Sequence, residues 1–287
     1  MYCLGIFTLI SLPLTESQDK ALGAIVSAAY TPGVGVVLLT GYAGTGKTYT
    51  LATLVEELIG PEFELVLATP THKASRCLEA ALRKLGARVN RVRTVSQLLG
   101  QRLKRDLDTG KESFEYPPDV TELPGDMVII DEASMVPAEA YERLVEILQP
   151  HQTLLFVGDP AQVPPVKDGK LCPVFSGGAD VHIQLTEVVR YGGPILEVAT
   201  ETRKLSVGRG RYRHCRSDEG SVFAYEWRQQ WFQAFIAAAC SDQALENADY
   251  ARAVCWTRNH AWELNSAVRR ARYGEAAPPF CEGEVLM

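Results

Sequence analysis

Short apolar runs alternate with helix-like segments through the first two thirds of the chain. The runs cover residues 35–40, 65–69, 127–130 and 154–157, and each ends at a polar or turn residue. Continuous aliphatic and β-branched runs are typical of parallel strands that are buried on both faces. Between them apolar side chains recur at helical spacing, and Thr15 with Gln18 forms a capping-box start. This pattern predicts an α/β domain in which helices flank a parallel sheet.

Two later regions depart from this alternation. Residues 101–124 carry turn residues at 108–110 between short polar runs, which predicts a small β-hairpin inserted in a loop. Farther along, residues 254–257 are predicted as a strand and residues 261–272 as a helix. We therefore expect a second region after the first α/β domain.

A phosphate-binding pattern follows the first predicted strand. Residues 41–48 read GYAGTGKT, a complete G-x-x-x-x-G-K-T sequence between a strand and a helix. Its glycines let backbone N–H groups surround phosphate oxygens, Lys47 neutralises phosphate charge, and the hydroxyl of Thr48 reaches Mg²⁺. The residues expected at the nucleotide are Gly41, Ala43, Gly44, Thr45, Gly46, Lys47 and Thr48.

Two carboxylates follow the predicted strand at 127–130. A carboxylate at the carboxyl end of a strand, beside a phosphate loop, is placed to hold Mg²⁺. We therefore expect Asp131 to bind Mg²⁺ and Glu132 to act as the general base on the attacking water. Gln162, which follows the next strand, is placed to sense the γ-phosphate or its water. Together these residues indicate hydrolysis of a nucleoside triphosphate.

Five ordered segments resemble the motifs of superfamily 1 helicases. They read GYAGTGKT, ATPTHKAS, TVSQLLG, IIDEASMV and FVGDPAQVPPV, in the order of motifs I, Ia, Ic, II and III. The set resembles in particular the 5′→3′ branch, superfamily 1B, which includes RecD-like and phage Dda-like DNA helicases. The resemblance implies a RecA-like P-loop NTPase domain at residues 1–183, with the hairpin insert at about 101–124. It also implies an incomplete second RecA-like domain at 184–287.

The same resemblance implies roles for further residues, with ATP and Mg²⁺ as cofactors. Gln18 matches the glutamine that reads adenine, and Gln162 matches the glutamine that couples nucleotide state to DNA. Arg190 matches the motif IV arginine that reaches the γ-phosphate from the second domain. The residues implied at single-stranded DNA are Thr69, Pro70, Thr71, His72, Thr94, Ser96 and Asn259. Ser96 departs from the family, in which this position is commonly histidine.

Charge and cysteine usage narrow the choice of partners and setting. The net charge of −6 excludes a protein that binds polyanions through excess positive charge alone. Residues 83–105 nevertheless hold eight basic and no acidic residues, and residues 203–216 hold six basic and none acidic. Such runs bind phosphates independently of base sequence. Seven cysteines without a C-x-x-C pair fit a reducing, cytoplasmic setting, and no apolar run approaches the ~20 residues of a membrane span.

One function is expected from these observations, with two alternatives. The chain is expected to be an ATP-dependent helicase or translocase on single-stranded DNA or an ss/ds junction. It is expected to be a monomer, with replication or recombination proteins as partners and no membrane association. The alternatives are an RNA helicase of a related branch and a non-hydrolysing, nucleotide-binding accessory subunit. Because motifs V and VI are not visible before residue 287, we expect a truncated motor that binds nucleotide but unwinds poorly.

Overall fold

The structure, a computed structural model, describes most of the chain. The described residues are 13–58, 60, 62–105, 112–165, 169–189, 192–204, 214–218, 220–247 and 250–281. They divide into two compact units between Gly192 and Gly193. Arg190, which is implied at the γ-phosphate, and the hairpin turn predicted at 108–110 lie outside the described residues.

The first unit is built on a six-stranded parallel sheet, so the α/β class predicted from the sequence is confirmed. Its elements are α1 (Glu16–Ala29), β1 (Val36–Gly41), α2 (Lys47–Leu58), β2 (Leu65–Thr69), α3 (His72–Lys84), β3 (Arg93–Thr94), α4 (Val95–Leu98), β4 (Arg102–Arg105), β5 (Glu112–Glu115), β6 (Met127–Ile130), α5 (Ala138–Glu146), β7 (Thr153–Gly158) and β8 (Val181–Leu185). The strand order is β3-β2-β6-β7-β1-β8, and every neighbouring pair is parallel.

Each face of this sheet has its own apolar core, because successive strand residues point to opposite sides. Leu39 of β1 packs on the face covered by α1, α2 and α3, whereas its neighbour Leu38 packs on the face of α4 and α5. Buried helix residues meet both faces, among them Ile25, Leu54 and Leu144. Burying one such side chain contributes about 1.5–3 kcal/mol. The continuous apolar runs of the sequence therefore reflect strands that are covered on both sides.

The β-hairpin predicted within residues 101–124 is confirmed. β4 and β5 pair antiparallel, with Arg102 opposite Glu115 and Leu103 opposite Phe114. The hairpin lies between α4 and β6 in the chain, so it is an insertion in the connection between two strands of the main sheet.

The second unit contains four helices and one small antiparallel sheet among its described residues. Its elements are α6 (Gly193–Lys204), β9 (Cys215–Ser217), β10 (Gly220–Val222), α7 (Arg228–Ala239), α8 (Asp242–Glu246) and α9 (Arg258–Tyr273). The helix predicted at 261–272 is confirmed as part of α9. None of the helices in the described parts of either unit is long and apolar enough to cross a bilayer.

The strand predicted at 254–257 is wrong. These residues form no strand, and Val254 and Trp256 are 97% and 91% exposed. A strand needs a neighbour that accepts and donates its backbone hydrogen bonds. Among the described residues of this unit, β9 and β10 pair only with each other, so the apolar run has no sheet to join.

Candidate functional site

All the segments singled out in the first unit leave the same edge of the sheet. Its six strands are parallel, so their carboxyl ends meet there, and ligands of open α/β sheets bind in the crevice at that edge. In sheet order, the residues at or just after these ends are Thr94, Thr69, Asp131, Asp159, Gly41 and Leu185. The acidic pair at 131–132 follows β6. In the sheet, β6 lies between β1, which carries the phosphate loop, and β2 and β3, which precede the two segments implied at DNA.

The phosphate loop joins β1 to α2 through two glycines in the left-handed region. Gly44 and Gly46 both have a φ of 83°, a conformation in which any Cβ is strained. Between them, Thr45 donates its backbone N–H to the Tyr42 carbonyl at 3.2 Å and its Oγ1–H to the same oxygen at 2.9 Å. These contacts close the loop into a tight turn at the end of β1.

Lys47 and Thr48 begin the helix that follows this loop. The Nζ of Lys47 donates to the carbonyl of Gly41 at 2.7 Å and to that of Tyr42 at 3.1 Å. Thr48 is half-buried in the first turn of α2. The free N–H groups and the positive dipole end of a helix N-terminus favour anions. An ammonium group and a helix N-terminus therefore lie together at the loop.

Gln18 connects the start of α1 to the phosphate loop. Its Oε1 accepts from the Thr15 N–H at 3.0 Å in the predicted capping box, which is present. Its Nε2 donates to the Thr45 carbonyl at 3.0 Å, and the residue is only 2% exposed. A Cβ on Gly46 would collide with this amide group. The Thr15 contact thus orients the Gln18 amide group at the start of α1, and the Thr45 contact holds it against the loop.

Asp131 and Glu132 lie where β6 ends. Asp131 Oδ1 accepts from the Glu132 N–H at 2.9 Å. Glu132 has a φ of 56° and a ψ of 42°, and it is the sole non-glycine residue of the described chain with a positive φ. The left-handed conformation costs an ordinary residue about 1–2 kcal/mol. Such strain is concentrated at functional sites, where the surrounding structure enforces it.

The surroundings of Asp131 also disfavour the charged form of its carboxyl group. Burial and the neighbouring charge of Glu132 raise its pKa from 3.8 to about 6, while the hydrogen bond from Glu132 N–H and the charge of Lys47 lower it. A site that raises the pKa of a carboxyl group in this way favours a cation beside it. The carboxylate of Asp131 and the hydroxyl of Thr48 are oxygen donors of the type that Mg²⁺ prefers.

Asp159 is a buried carboxylate that the sequence pattern did not single out. It is 1% exposed, its Oδ1 accepts from the Ala161 N–H at 3.0 Å, and its carbonyl accepts from the Gln162 N–H at 3.0 Å. The half-buried Gln162 is thus fixed by a turn directly after β7. The signal was present, because an Asp-Pro step after an apolar strand is typical of a turn that an aspartate stabilises.

The four residues implied at DNA after β2 divide into buried and accessible ones. Thr69 is completely buried, and its Oγ1 lies 3.0 Å from the Thr71 carbonyl and 2.8 Å from Ser75 Oγ. Thr71 is the N-cap of α3, Pro70 is half-buried and His72 is exposed. A ligand can therefore reach residues 70–72 from solvent, whereas the hydroxyl of Thr69 forms hydrogen bonds inside the protein.

The segment after β3 shows the same division. Thr94 is 3% exposed and forms a capping box with Gln97. Thr94 Oγ1 accepts from the Gln97 N–H at 3.1 Å, and Gln97 Oε1 accepts from the Thr94 N–H at 2.9 Å. Ser96, in the first turn of α4, is exposed. Of the two residues implied at DNA here, Ser96 is the one whose side chain faces solvent.

The basic run at residues 83–105 is partly neutralised by acids from elsewhere in the chain. Among the described side chains, four ion pairs involve it: Arg83–Glu79, Arg88–Glu56, Arg102–Asp119 and Lys104–Glu115. Lys84, Arg91 and Arg93 are exposed and have no carboxylate partner in the described part of the chain. Exposed ion pairs contribute only about 0–1 kcal/mol each. The unpaired cations are therefore the stronger candidates for binding phosphate.

The second unit contributes one residue implied at DNA. Asn259 is exposed in the first turn of α9, whose N-cap is Thr257. Thr257 Oγ1 accepts from the His260 N–H at 3.2 Å. The side chain of Asn259 is therefore accessible to solvent at the start of a helix.

Comparison with known proteins decides the family. A family model described as an AAA domain matches residues 13–223, which covers the phosphate loop, the acidic pair and the hairpin insert. The chain belongs to this family. The AAA domain match extends over more than half of the chain.

Named relatives of this AAA-domain chain are helicases. The ATP-dependent DNA helicase dda of Enterobacteria phage T4 is 27% identical and aligns with 96% of this chain and 60% of its own. The ATP-dependent RecD2 DNA helicase of Deinococcus radiodurans is 32% identical, over 65% of this chain and 23% of its own. The chain thus spans 60% or less of the length of these relatives. The resemblance to superfamily 1B helicases is confirmed.

A solved structure of similar fold supports the RecA-like architecture. The Pif1 helicase from Bacteroides, in complex with ADP-AlF3 and ssDNA, aligns with 96% of this chain and 62% of its own with a TM-score of 0.51. Its sequence is 18% identical, so the likeness concerns the fold. The predicted RecA-like P-loop class is confirmed.

Proposed function

We propose that this chain carries the ATP-hydrolysing motor of a DNA helicase that moves 5′→3′ along single-stranded DNA. The observation that carries the proposal is the shared carboxyl edge of one parallel sheet. The phosphate loop after β1, the acidic pair after β6 and the exposed residues after β2 and β3 all leave that edge. In the sheet, the phosphate loop after β1 lies two strands from the acidic pair after β6. It lies three and four strands from the proposed DNA segments after β2 and β3.

The nucleotide roles follow from the chemistry of the loop. Lys47 and the N-terminus of α2 bind the phosphates of ATP. Thr48 and Asp131 hold Mg²⁺, which neutralises phosphate charge when bound. Glu132 is the general base for the attacking water. Its left-handed backbone conformation sets the direction in which its side chain leaves the main chain. Gln18, packed against the loop, is the residue proposed to read the adenine.

The DNA roles follow from accessibility. Residues 70–72, Ser96 and the unpaired cations Arg91 and Arg93 present polar and positive groups to solvent on the β2–β3 side of the sheet. In the second unit, Asn259 is the proposed contact. Such groups bind the phosphate backbone of a strand without reading its bases. Gln162, fixed by the Asp159 turn, is proposed to transmit the nucleotide state, and Arg190 is proposed to stabilise the γ-phosphate.

Nucleotide binding is tested with a fluorescent ATP analogue in Mg²⁺. Replacing Lys47 removes charged hydrogen bonds worth about 1.5–3 kcal/mol, so Lys47→Ala should weaken binding about 10- to 100-fold. Lys20→Ala, which removes the same charge from an exposed pair on α1, should leave the affinity unchanged. Equal affinity in the wild-type chain and Lys47→Ala would contradict the assignment of the loop.

Hydrolysis and strand choice are tested by phosphate release. Glu132→Gln should keep the analogue bound while lowering turnover roughly 10²- to 10⁴-fold, because it loses only the base. Oligothymidine should stimulate the wild-type enzyme more than an oligouridine of equal length. Stronger stimulation by RNA would support an RNA motor, and binding with no turnover under any condition would support an accessory role.

A further inference from the structure

A buried pair of hydroxyl groups links the two segments proposed to bind DNA. Ser75, in the first turn of α3, is 5% exposed, and its Oγ lies 2.8 Å from Thr69 Oγ1. The same Oγ lies 3.1 Å from the carbonyl of Arg93 and 3.2 Å from that of Thr71. Three elements therefore meet at one serine: the end of β2, the start of α3 and the strand β3.

The contact to β3 stands out because β3 is very short. β3 contains only Arg93 and Thr94, and it pairs with β2 through two residue pairs at the edge of the sheet. A serine hydroxyl has one proton to donate. When that proton goes to Arg93, Ser75 adds one hydrogen bond to a strand that has few others. Thr69 then donates in turn to Ser75 or to Thr71.

The consequence reaches the exposed residues on both sides. Thr71, whose carbonyl lies in this network, caps α3 directly before the exposed His72. Thr94, next to the bonded Arg93, caps α4 directly before Ser96. A shift of β3 along or away from β2 would change the separation of these two accessible groups. A protein that binds a DNA strand at two points loses affinity when the distance between the two points is no longer fixed before binding.

We propose that Ser75 is a positioning residue that fixes the separation between segments 70–72 and 94–96, and thereby the affinity for single-stranded DNA. The inference rests on the proposed function, because both segments are proposed DNA contacts. Ser75 itself is buried, so its proposed effect on DNA is indirect. The hydrogen bonds described for its hydroxyl go to Thr69, Thr71 and Arg93 and none to the phosphate loop, so nucleotide affinity should not depend on it.

The test compares Ser75→Ala with Ser75→Thr, in which the hydroxyl is kept. Affinity for a fluorescein-labelled oligothymidine of about 12 nucleotides is measured by anisotropy. Ser75→Ala should weaken it about 3- to 10-fold, the effect of one lost hydrogen bond, and Ser75→Thr should restore it to within about twofold. Affinity for the fluorescent ATP analogue, measured in parallel, should be the same in all three proteins.

A matched control separates positioning from stability. Tyr141→Phe keeps the ring and removes another hydroxyl of the same unit, one that donates to the carbonyl of Gly178 at 2.6 Å. Because this hydroxyl bonds to neither segment, its loss should lower the melting temperature and leave DNA affinity unchanged. Equal DNA affinity in Ser75→Ala and wild type, or equal weakening in Tyr141→Phe, would overturn the role of Ser75. If the wild-type chain binds no oligothymidine, the proposed function itself fails and this inference with it.

Discussion

Replacing Asp131 with asparagine should stabilise the fold while it removes the proposed Mg²⁺ ligand. The pKa of this carboxyl group rises from 3.8 to about 6 through burial and the charge of Glu132. Since one pKa unit corresponds to about 1.4 kcal/mol, the charged carboxylate costs the folded state about 3 kcal/mol above pH 6. Asparagine has no charge to bury and keeps an Oδ1 that can accept from the Glu132 N–H.

The pH dependence gives the sign of this effect. A raised pKa means that the folded state holds the proton more tightly, so stability falls as pH rises from about 4 to 6. Asp131→Asn should therefore gain up to about 3 kcal/mol at pH 7.5 and only about 1 kcal/mol at pH 4.5. Urea unfolding at the two pH values measures the difference. The exposed variant Asp119→Asn should change stability by less than about 0.5 kcal/mol at either.

Nucleotide affinity should change with pH in the direction opposite to stability. Mg²⁺ needs the deprotonated carboxylate, so the Mg²⁺-dependent part of ATP-analogue binding should weaken below about pH 6 in the wild-type chain. In Asp131→Asn that part should be small at every pH. A variant that is no more stable than wild type at pH 7.5, or a gain that is independent of pH, would refute the electrostatic reasoning.

Two further predictions use matched pairs of variants. Gly46→Ala and Gly33→Ala both place a Cβ at a positive φ, but only at Gly46 does the Cβ meet Gln18. Chemical denaturation should show a loss of about 1–2 kcal/mol in Gly33→Ala and a larger loss in Gly46→Ala, and ATP-analogue titration should show weaker binding in Gly46→Ala alone. Arg93→Ala should lower the salt slope of oligothymidine binding by about one, whereas Arg88→Ala, whose arginine is paired with an acid, should lower it less. Identical behaviour within either pair would contradict the structural distinction.

The central strands were predictable because their sequence is apolar without interruption. β2 and β6 occupy the predicted residues, and the boundaries of β1 and β7 differ by one. β8 was not predicted, since His182 and Gln184 alternate with its apolar residues and face solvent at the edge of the sheet. β3 has two residues, too few for any periodicity. Edge strands therefore escape a search for continuous apolar runs.

The candidate site was predictable in its chemistry and less so in its accessibility. The phosphate loop is local in sequence, so its spacing alone predicts it, and the acidic pair becomes a clear prediction once it is read together with that loop. The burial of Thr69 and the acid partners of Arg88 and Lys104 depend on residues that are distant in the chain or on other elements. The role proposed for Ser75 likewise comes from three elements that meet only in the fold.

Single-stranded DNA-dependent ATP hydrolysis tests the central claim most directly. Phosphate release in Mg²⁺ is measured for the chain with and without oligothymidine, beside Lys47→Ala and Glu132→Gln. A phosphate loop and segments proposed to bind DNA on one sheet edge predict turnover that rises when the oligonucleotide is added and is strongly reduced in both variants. Turnover that is unchanged by DNA, or that persists in Lys47→Ala, would contradict the account.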